Sequence, residues 1–171
     1  AREAFKLEGR EVPIQVSVSL LPNGGKMLLG TDINAVLTTL ESLKVDVIGL
    51  NCSTGPNDMR DAVRFLGEHA SVPIHCIPNA GLPQQGRGGE TIFPEGAEEL
   101  ATVLGEFVEQ HGVGIVGGCC GTTVDHIKAI AERDRQAQEA AQAAAELAAR
   151  EKDRAHKKAI NTEALADFMA G

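Results

Sequence analysis

Apolar and polar residues alternate from Val12 to Leu20. Ile14, Val16, Val18 and Leu20 share one side of an extended chain, and Gln15, Ser17 and Ser19 share the other. That period predicts a strand over 12–20. After a Gly- and Asn-rich loop over 21–30, the period changes. Ile33, Val36, Leu37, Leu40 and Leu43 recur at helical spacing. The alternation of short apolar runs and helical stripes then repeats. Strands are predicted at 45–52, 72–77 and 113–118. One helix opens at Thr54-Gly55-Pro56, with the proline near its first position and Met59, Val63 and Leu66 on its apolar face. Another carries Leu100, Val103, Leu104, Phe107 and Val108, and a last one starts at Thr122 or Thr123, with Asp125 in its first turn. A Gly- and Pro-rich stretch over 78–96 reads as a long loop.

Strands separated by helices imply parallel pairing and right-handed crossovers. Two α/β architectures satisfy this pattern: an open doubly wound sheet, or four consecutive units of a (β/α)₈ barrel. Both place chemistry at the C-terminal ends of the strands. Beyond about Arg133 the pattern changes again. Residues 136–158 are rich in Ala with Glu, Gln, Arg and Lys, and lack Gly and Pro. High helix propensity and the pairs Glu146–Arg150 and Asp153–Lys157 predict a long exposed helix. The final segment holds Ile160, Leu165, Phe168 and Met169 and reads either as a docking helix or as a frayed tail. The expected organisation is an α/β unit over 1–133 followed by a helical extension over 134–171.

Composition narrows the function. A net charge of −8 and the lack of basic clusters with interleaved aromatics argue against nucleic acid or an anionic membrane as partner. No apolar run approaches a membrane span, and no signal-peptide pattern opens the chain. With four cysteines in that context, a reducing, cytoplasmic setting is expected, where metal binding or catalysis outranks disulfides.

The thiols fall at informative places. Cys52 ends the second predicted strand, and Cys119 and Cys120 follow the fourth in the run Gly117-Gly118-Cys119-Cys120-Gly121-Thr122-Thr123. Neighbours on an extended strand point to opposite faces, so both sulfurs reach one ion only if the backbone leaves β geometry there. Gly117, Gly118 and Gly121 make that departure sterically easy. Three thiolates from two strand ends would form a catalytic-type zinc site with one open position. Asn79 lies at the third strand end. Cys76 reads as core filler and His75 as a satisfied strand histidine; in a closed structural site either would supply a fourth ligand. His69 and His111 suit helix C-termini, and His126 a helix interior. Asp32 reads as a helix-start residue, Glu95, Glu98 and Glu99 as a solvated helix start, and the 24–25 and 86–89 glycines as flexible loops.

Asp46-Val47-Ile48-Gly49-Leu50-Asn51-Cys52, Pro78-Asn79-Ala80-Gly81-Leu82-Pro83 and the 117–123 run resemble the homocysteine S-methyltransferase family, above all its homocysteine-binding module in cobalamin-dependent methionine synthases. Gly30-Thr31-Asp32 and Ser53-Thr54-Gly55-Pro56 fit the same module. The resemblance covers roughly 1–133 and implies strands five to eight of a (β/α)₈ barrel. It implies that Cys52, Cys119 and Cys120 bind Zn²⁺, which activates the homocysteine thiolate for methyl transfer in methionine synthesis. It implies no catalytic residue beyond that metal site. Methylcobalamin on a separate module is the implied donor, with betaine or S-methylmethionine used by other relatives. Asn79 is implied as a weak oxygen ligand or substrate contact, and Ser17, Ser19 and Asn51 are further pocket candidates. The expected partners are homocysteine and the N-terminal half-barrel, or other modules of the same enzyme. The competing expectations are a non-catalytic zinc-binding half-barrel that needs a partner, and a redox protein using Cys119 and Cys120.

Overall fold

The computed structural model describes residues 1–22 and 25–170, with side chains as far as Lys157. Its elements in chain order are α1 (Arg2–Glu8), β1 (Gln15–Val18), α2 (Ile33–Ser42), β2 (Val47–Asn51), α3 (Pro56–His69), β3 (Ile74–Ile77), β4 (Gln84–Gln85), β5 (Thr91–Ile92), α4 (Ala97–His111), β6 (Val113–Val116) and α5 (Val124–Ala170). The four strands expected from the apolar runs are present, each shorter than its run, because the flanking residues turn toward loops. The α1 helix was not anticipated: it buries none of its residues, so no apolar stripe announces it. The 78–96 stretch is not all loop. It contains the antiparallel β4–β5 hairpin, whose two-residue strands are too short for a period-2 signal. Gly86 and Gly89 belong to that hairpin's turn, where the Gly86 N–H donates to the Glu90 carbonyl at 2.7 Å.

The main sheet is four-stranded and parallel, in the order β1-β2-β3-β6. Sequential order decides between the two architectures. A doubly wound sheet reverses its strand order at a switch point, which puts helices on both faces. Here each crossover advances in one direction, so right-handed connections stack the helices on a single face. The result is four consecutive (β/α) units of a partial (β/α)₈ barrel, which the resemblance identifies with the second half.

Register assigns the two faces. Ile48 and Leu50 of β2 lie beside Ile74 and Cys76 of β3 and point into the core with Met59, Val63, Leu66, Leu100, Leu104 and Phe107. Gln15, Ser17, Gly49, His75 and Ile115 alternate onto the opposite face. Cys76 is fully buried, its sulfur 3.7 Å from that of Met59, as core filler should be. Capping sets the helix starts. Asp32 accepts from the Ala35 N–H at 2.9 Å, and Pro56 opens α3. At α5, the His126 ring reaches back to Thr123 at the helix start. The Thr123 N–H donates to His126 Nδ1 at 3.1 Å, and His126 Nε2 reaches the Glu95 carbonyl at 3.1 Å.

The chain divides into two units, 1–133 and 134–171. In the second, the helix is exposed throughout its described side chains apart from a half-buried Ala137, and carries the pairs Glu146–Arg150 at 3.9 Å and Asp153–Lys157 at 2.9 Å. The backbone is helical as far as Ala170; the side chains of Ile160, Leu165, Phe168 and Met169 lie outside the described residues, as does Gly24. Among the described residues, no helix is long and apolar enough to cross a membrane.

Burial predicts where stability resides. Phe107 is wholly buried, whereas Leu147 is 60% exposed. Urea denaturation should show Phe107→Ala losing about 3–5 kcal/mol and Leu147→Ala less than about 0.5 kcal/mol. Equal losses would contradict the assigned core.

Candidate metal centre

β2 ends at Asn51, and the next two residues leave β geometry abruptly. Cys52 has φ of 56° and Ser53 of 68°, both in the left-handed region. For non-glycine residues this costs roughly 1–2 kcal/mol each. The surrounding backbone holds the bend: the Cys52 N–H donates to the Ile77 carbonyl at 3.0 Å, and the Thr54 N–H to the Cys52 carbonyl at 2.8 Å. On the other side, the Cys119 N–H donates to the Pro78 carbonyl at 2.7 Å, and the Ala80 N–H to the Cys120 carbonyl at 2.9 Å. The β3 end thus clamps both cysteine loops. Of the three glycines near the pair, Gly121 alone takes positive φ, 79°, and a side chain there would run into the Phe93 ring.

This scaffold brings three sulfurs together. Cys52 Sγ lies 3.7 Å from Cys120 Sγ, and Cys119 Sγ lies 3.9 Å from Cys120 Sγ. All three sit within 4.8 Å of one another. A tetrahedral ion with metal–sulfur bonds of about 2.3 Å separates its sulfurs by about 3.8 Å. The donor set therefore has the spacing and softness that Zn²⁺ requires. Neither residue that a closed structural site would recruit joins it: Cys76 faces the core, and His75 Nε2 is engaged by Ser17 at 2.9 Å.

Asn79 is 3% exposed and bridges the two cysteine loops. Its Oδ1 accepts from the Cys120 N–H at 3.1 Å, and its own N–H donates to the Thr54 carbonyl, in the loop that follows Cys52, at 3.0 Å. The thiols are not equivalent. The backbone N–H of Ser53, with smaller help from Cys120, Cys119 and Asn79, holds the Cys52 thiol below its ordinary range despite burial. Burial first, then Cys52 and Cys120, pushes Cys119 up to about 11. Burial alone pushes Cys76 up to about 12.

Of the remaining candidates, Ser17 and Asn51 meet at 2.7 Å on the open sheet face, whereas Ser19 is exposed. Glu95 departs from the solvated helix start expected of it. Glu98 and Glu99 are exposed, but Glu95 tucks beside Gly55, and burial raises its carboxyl with help from the Glu99 charge. A cleft of about 730 Å³ between the start of α2 and α3 is lined by Asp32, Asp58, Asp61 and Arg64 but by none of the thiols.

Residues 1–134 match the family described as homocysteine S-methyltransferase. The chain belongs to that family. It is 46% identical over 131 residues to a methionine synthase from Mycobacterium leprae and 45% identical over 131 residues to one from Mycobacterium tuberculosis. Each match covers 77% of this chain and 11% of the relative's length. Among solved structures, the homocysteine methyltransferase MmuM from Escherichia coli is similar in its oxidised form, with TM-score 0.53 and 24% identity over 77% of this chain and 39% of that one. Its apo form gives TM-score 0.53 and 23% identity, covering 77% and 43%. At that identity the likeness speaks to the fold.

The unequal thiols give a direct check on metal-free protein. Only thiolate reacts with iodoacetamide, so Cys52 should be alkylated ahead of Cys119, its rate rising with pH through a lower midpoint. Cys76 should stay unmodified until the chain unfolds. Peptide mass spectrometry reads the order, and earlier labelling of Cys119 or Cys76 would contradict it.

Proposed function

We propose that this chain is the zinc-binding part of a homocysteine S-methyltransferase that makes methionine, with Cys52, Cys119 and Cys120 as the metal ligands. The observation that carries this reading is the convergence of three sulfurs, at 3.7 and 3.9 Å for the close pairs, within a segment of that family. Three protein ligands leave one position of a tetrahedral ion for substrate. When bound, Zn²⁺ would supply Lewis acidity that keeps the homocysteine sulfur deprotonated near neutral pH and ready for methyl transfer.

The chain's own residues set the conditions. The Ser53 N–H holds the Cys52 thiol below its ordinary range, which favours its deprotonation on meeting the ion. Three thiolates around a divalent ion leave a net charge of about minus one, which keeps an added sulfur electron-rich. Asn79 ties the loop after Cys52 to Cys120 and, with Ser17, Ser19 and Asn51, is assigned to the substrate side. The proposed donor is methylcobalamin on a separate module, with which kinship to methionine synthases is compatible. The proposed partners are homocysteine and the complementary half of the barrel. This chain spans 11% of the length of a methionine synthase relative and 39% of the MmuM chain, and the alternative proposal is a half-barrel that binds zinc without transferring methyl groups unaided.

The chain should take up about one zinc ion, and replacing Cys52, Cys119 or Cys120 by Ala should abolish tight uptake. Homocysteine added to the zinc-loaded chain near pH 7 should release about one proton per thiol bound, because the free thiol is protonated there. Calorimetry in buffers of different ionisation enthalpy counts the protons. Uptake of zinc with no proton release on adding homocysteine would leave only the non-catalytic alternative.

A further inference from the structure

The open face of the sheet carries a second polar chain, built from residues that do not touch the sulfurs. His75 Nε2 lies 2.9 Å from Ser17 Oγ, and the Ser17 hydroxyl donates to Asn51 Oδ1 at 2.7 Å. These residues come from β3, β1 and β2. In register His75 is opposite Gly49, and Gly49 is opposite Ser17. The imidazole can therefore meet Ser17 only by crossing β2. Gly49 permits the crossing, since a side chain there would collide with the carbonyl and ring of His75. A glycine mid-strand, costly to sheet formation, thus has a specific reason.

The proton order follows from counting. A serine hydroxyl has one proton. Given to Asn51, it obliges His75 Nε2 to carry a proton and donate to Ser17. His75 Nδ1 is then a bare acceptor, buried and without a partner on a side chain only 1% exposed. The opposite order would bury an orphaned N–H at Nδ1, the rarer defect. Burial also favours the neutral ring. With its carbonyl oxygen fixed toward Ser17, Asn51 turns its amide nitrogen the other way. No acceptor among the described residues takes those hydrogens, and the next residue in the chain is Cys52.

We propose that His75 and Ser17 are positioning residues that orient Asn51, whose amide N–H groups receive the carboxylate of an amino-acid thiol entering the three-sulfur site. This rests on the thiol-binding reading above and adds the basis of selectivity. The sulfurs and their ion recognise any thiol; a fixed donor on the residue preceding Cys52 would recognise the anionic end of an amino acid.

The test compares homocysteine with 1-propanethiol, which has the sulfur but no amino-acid group, on the zinc-loaded full chain. Asn51→Ala, Ser17→Ala and His75→Leu should each weaken homocysteine binding about tenfold, the scale of one hydrogen bond to a charged group. Binding of 1-propanethiol should not change. His75→Gln, which keeps an N–H donor at similar reach, should recover part of the loss. A structural defect would weaken both thiols, so the ratio of affinities is the decisive readout. An unchanged ratio in Ser17→Ala and Asn51→Ala overturns this inference and leaves the zinc reading standing. A wild-type chain that binds neither thiol overturns that reading and this inference with it. Nitrogen-15 spectra should show His75 neutral and protonated at Nε2; protonation at Nδ1 would overturn the proton order.

Discussion

The structure depends on the bend at the end of β2. A strand that stayed extended through residue 52 would carry its sulfur along the sheet, away from the β6 side. Two successive residues in the left-handed region turn Cys52 toward Cys120 instead. Such backbone is expensive without glycine and persists only when its surroundings over-determine it. The β3 end provides that determination. Ile77 accepts from Cys52, Pro78 accepts from Cys119, and Asn79 joins the two cysteine loops, its N–H donating to the Thr54 carbonyl and its side chain accepting from the Cys120 N–H. Three strand ends are thereby joined by hydrogen bonds that position sulfur atoms as well as backbone.

The sheet separates stability from chemistry by its two faces. One face and the helices above it form a core of aliphatic side chains around Phe107, in a chain with no Trp and no Tyr. The other face carries Ser17, Gly49, His75 and Asn51, a polar line with a gap where Gly49 lets an imidazole lie across a strand. Because strand residues alternate, one sequence serves both purposes without compromise. Substitutions on the helix side should change folding, while those on the open side should change what the site accepts.

Much of this was legible in the sequence, for physical reasons. Ile14, Val16 and Val18 alternate because one side of β1 is packed, and Met59, Val63 and Leu66 recur at helical spacing because one side of α3 is packed. The three cysteines could be placed at strand ends by the same patterns. Elements that bury little gave no signal, as with α1 and the β4–β5 hairpin. The strand position of His75 predicts a satisfied histidine, and only one of its ring nitrogens is satisfied. Which residue it meets depends on register across three strands, which periodicity within one strand does not encode. Glu95 looked like its neighbours Glu98 and Glu99, yet the approach of the Gly55 loop buries it. Contacts between distant segments decided each of these cases.

The central claim is that three cysteines hold a metal with one position open to a substrate thiol. Zinc-edge X-ray absorption on the full chain measures this directly. The expected result is three sulfurs at about 2.3 Å and one lighter neighbour, becoming four sulfurs when homocysteine is added. A shell that already contains four protein ligands, or a sulfur count that does not change with homocysteine, would contradict it.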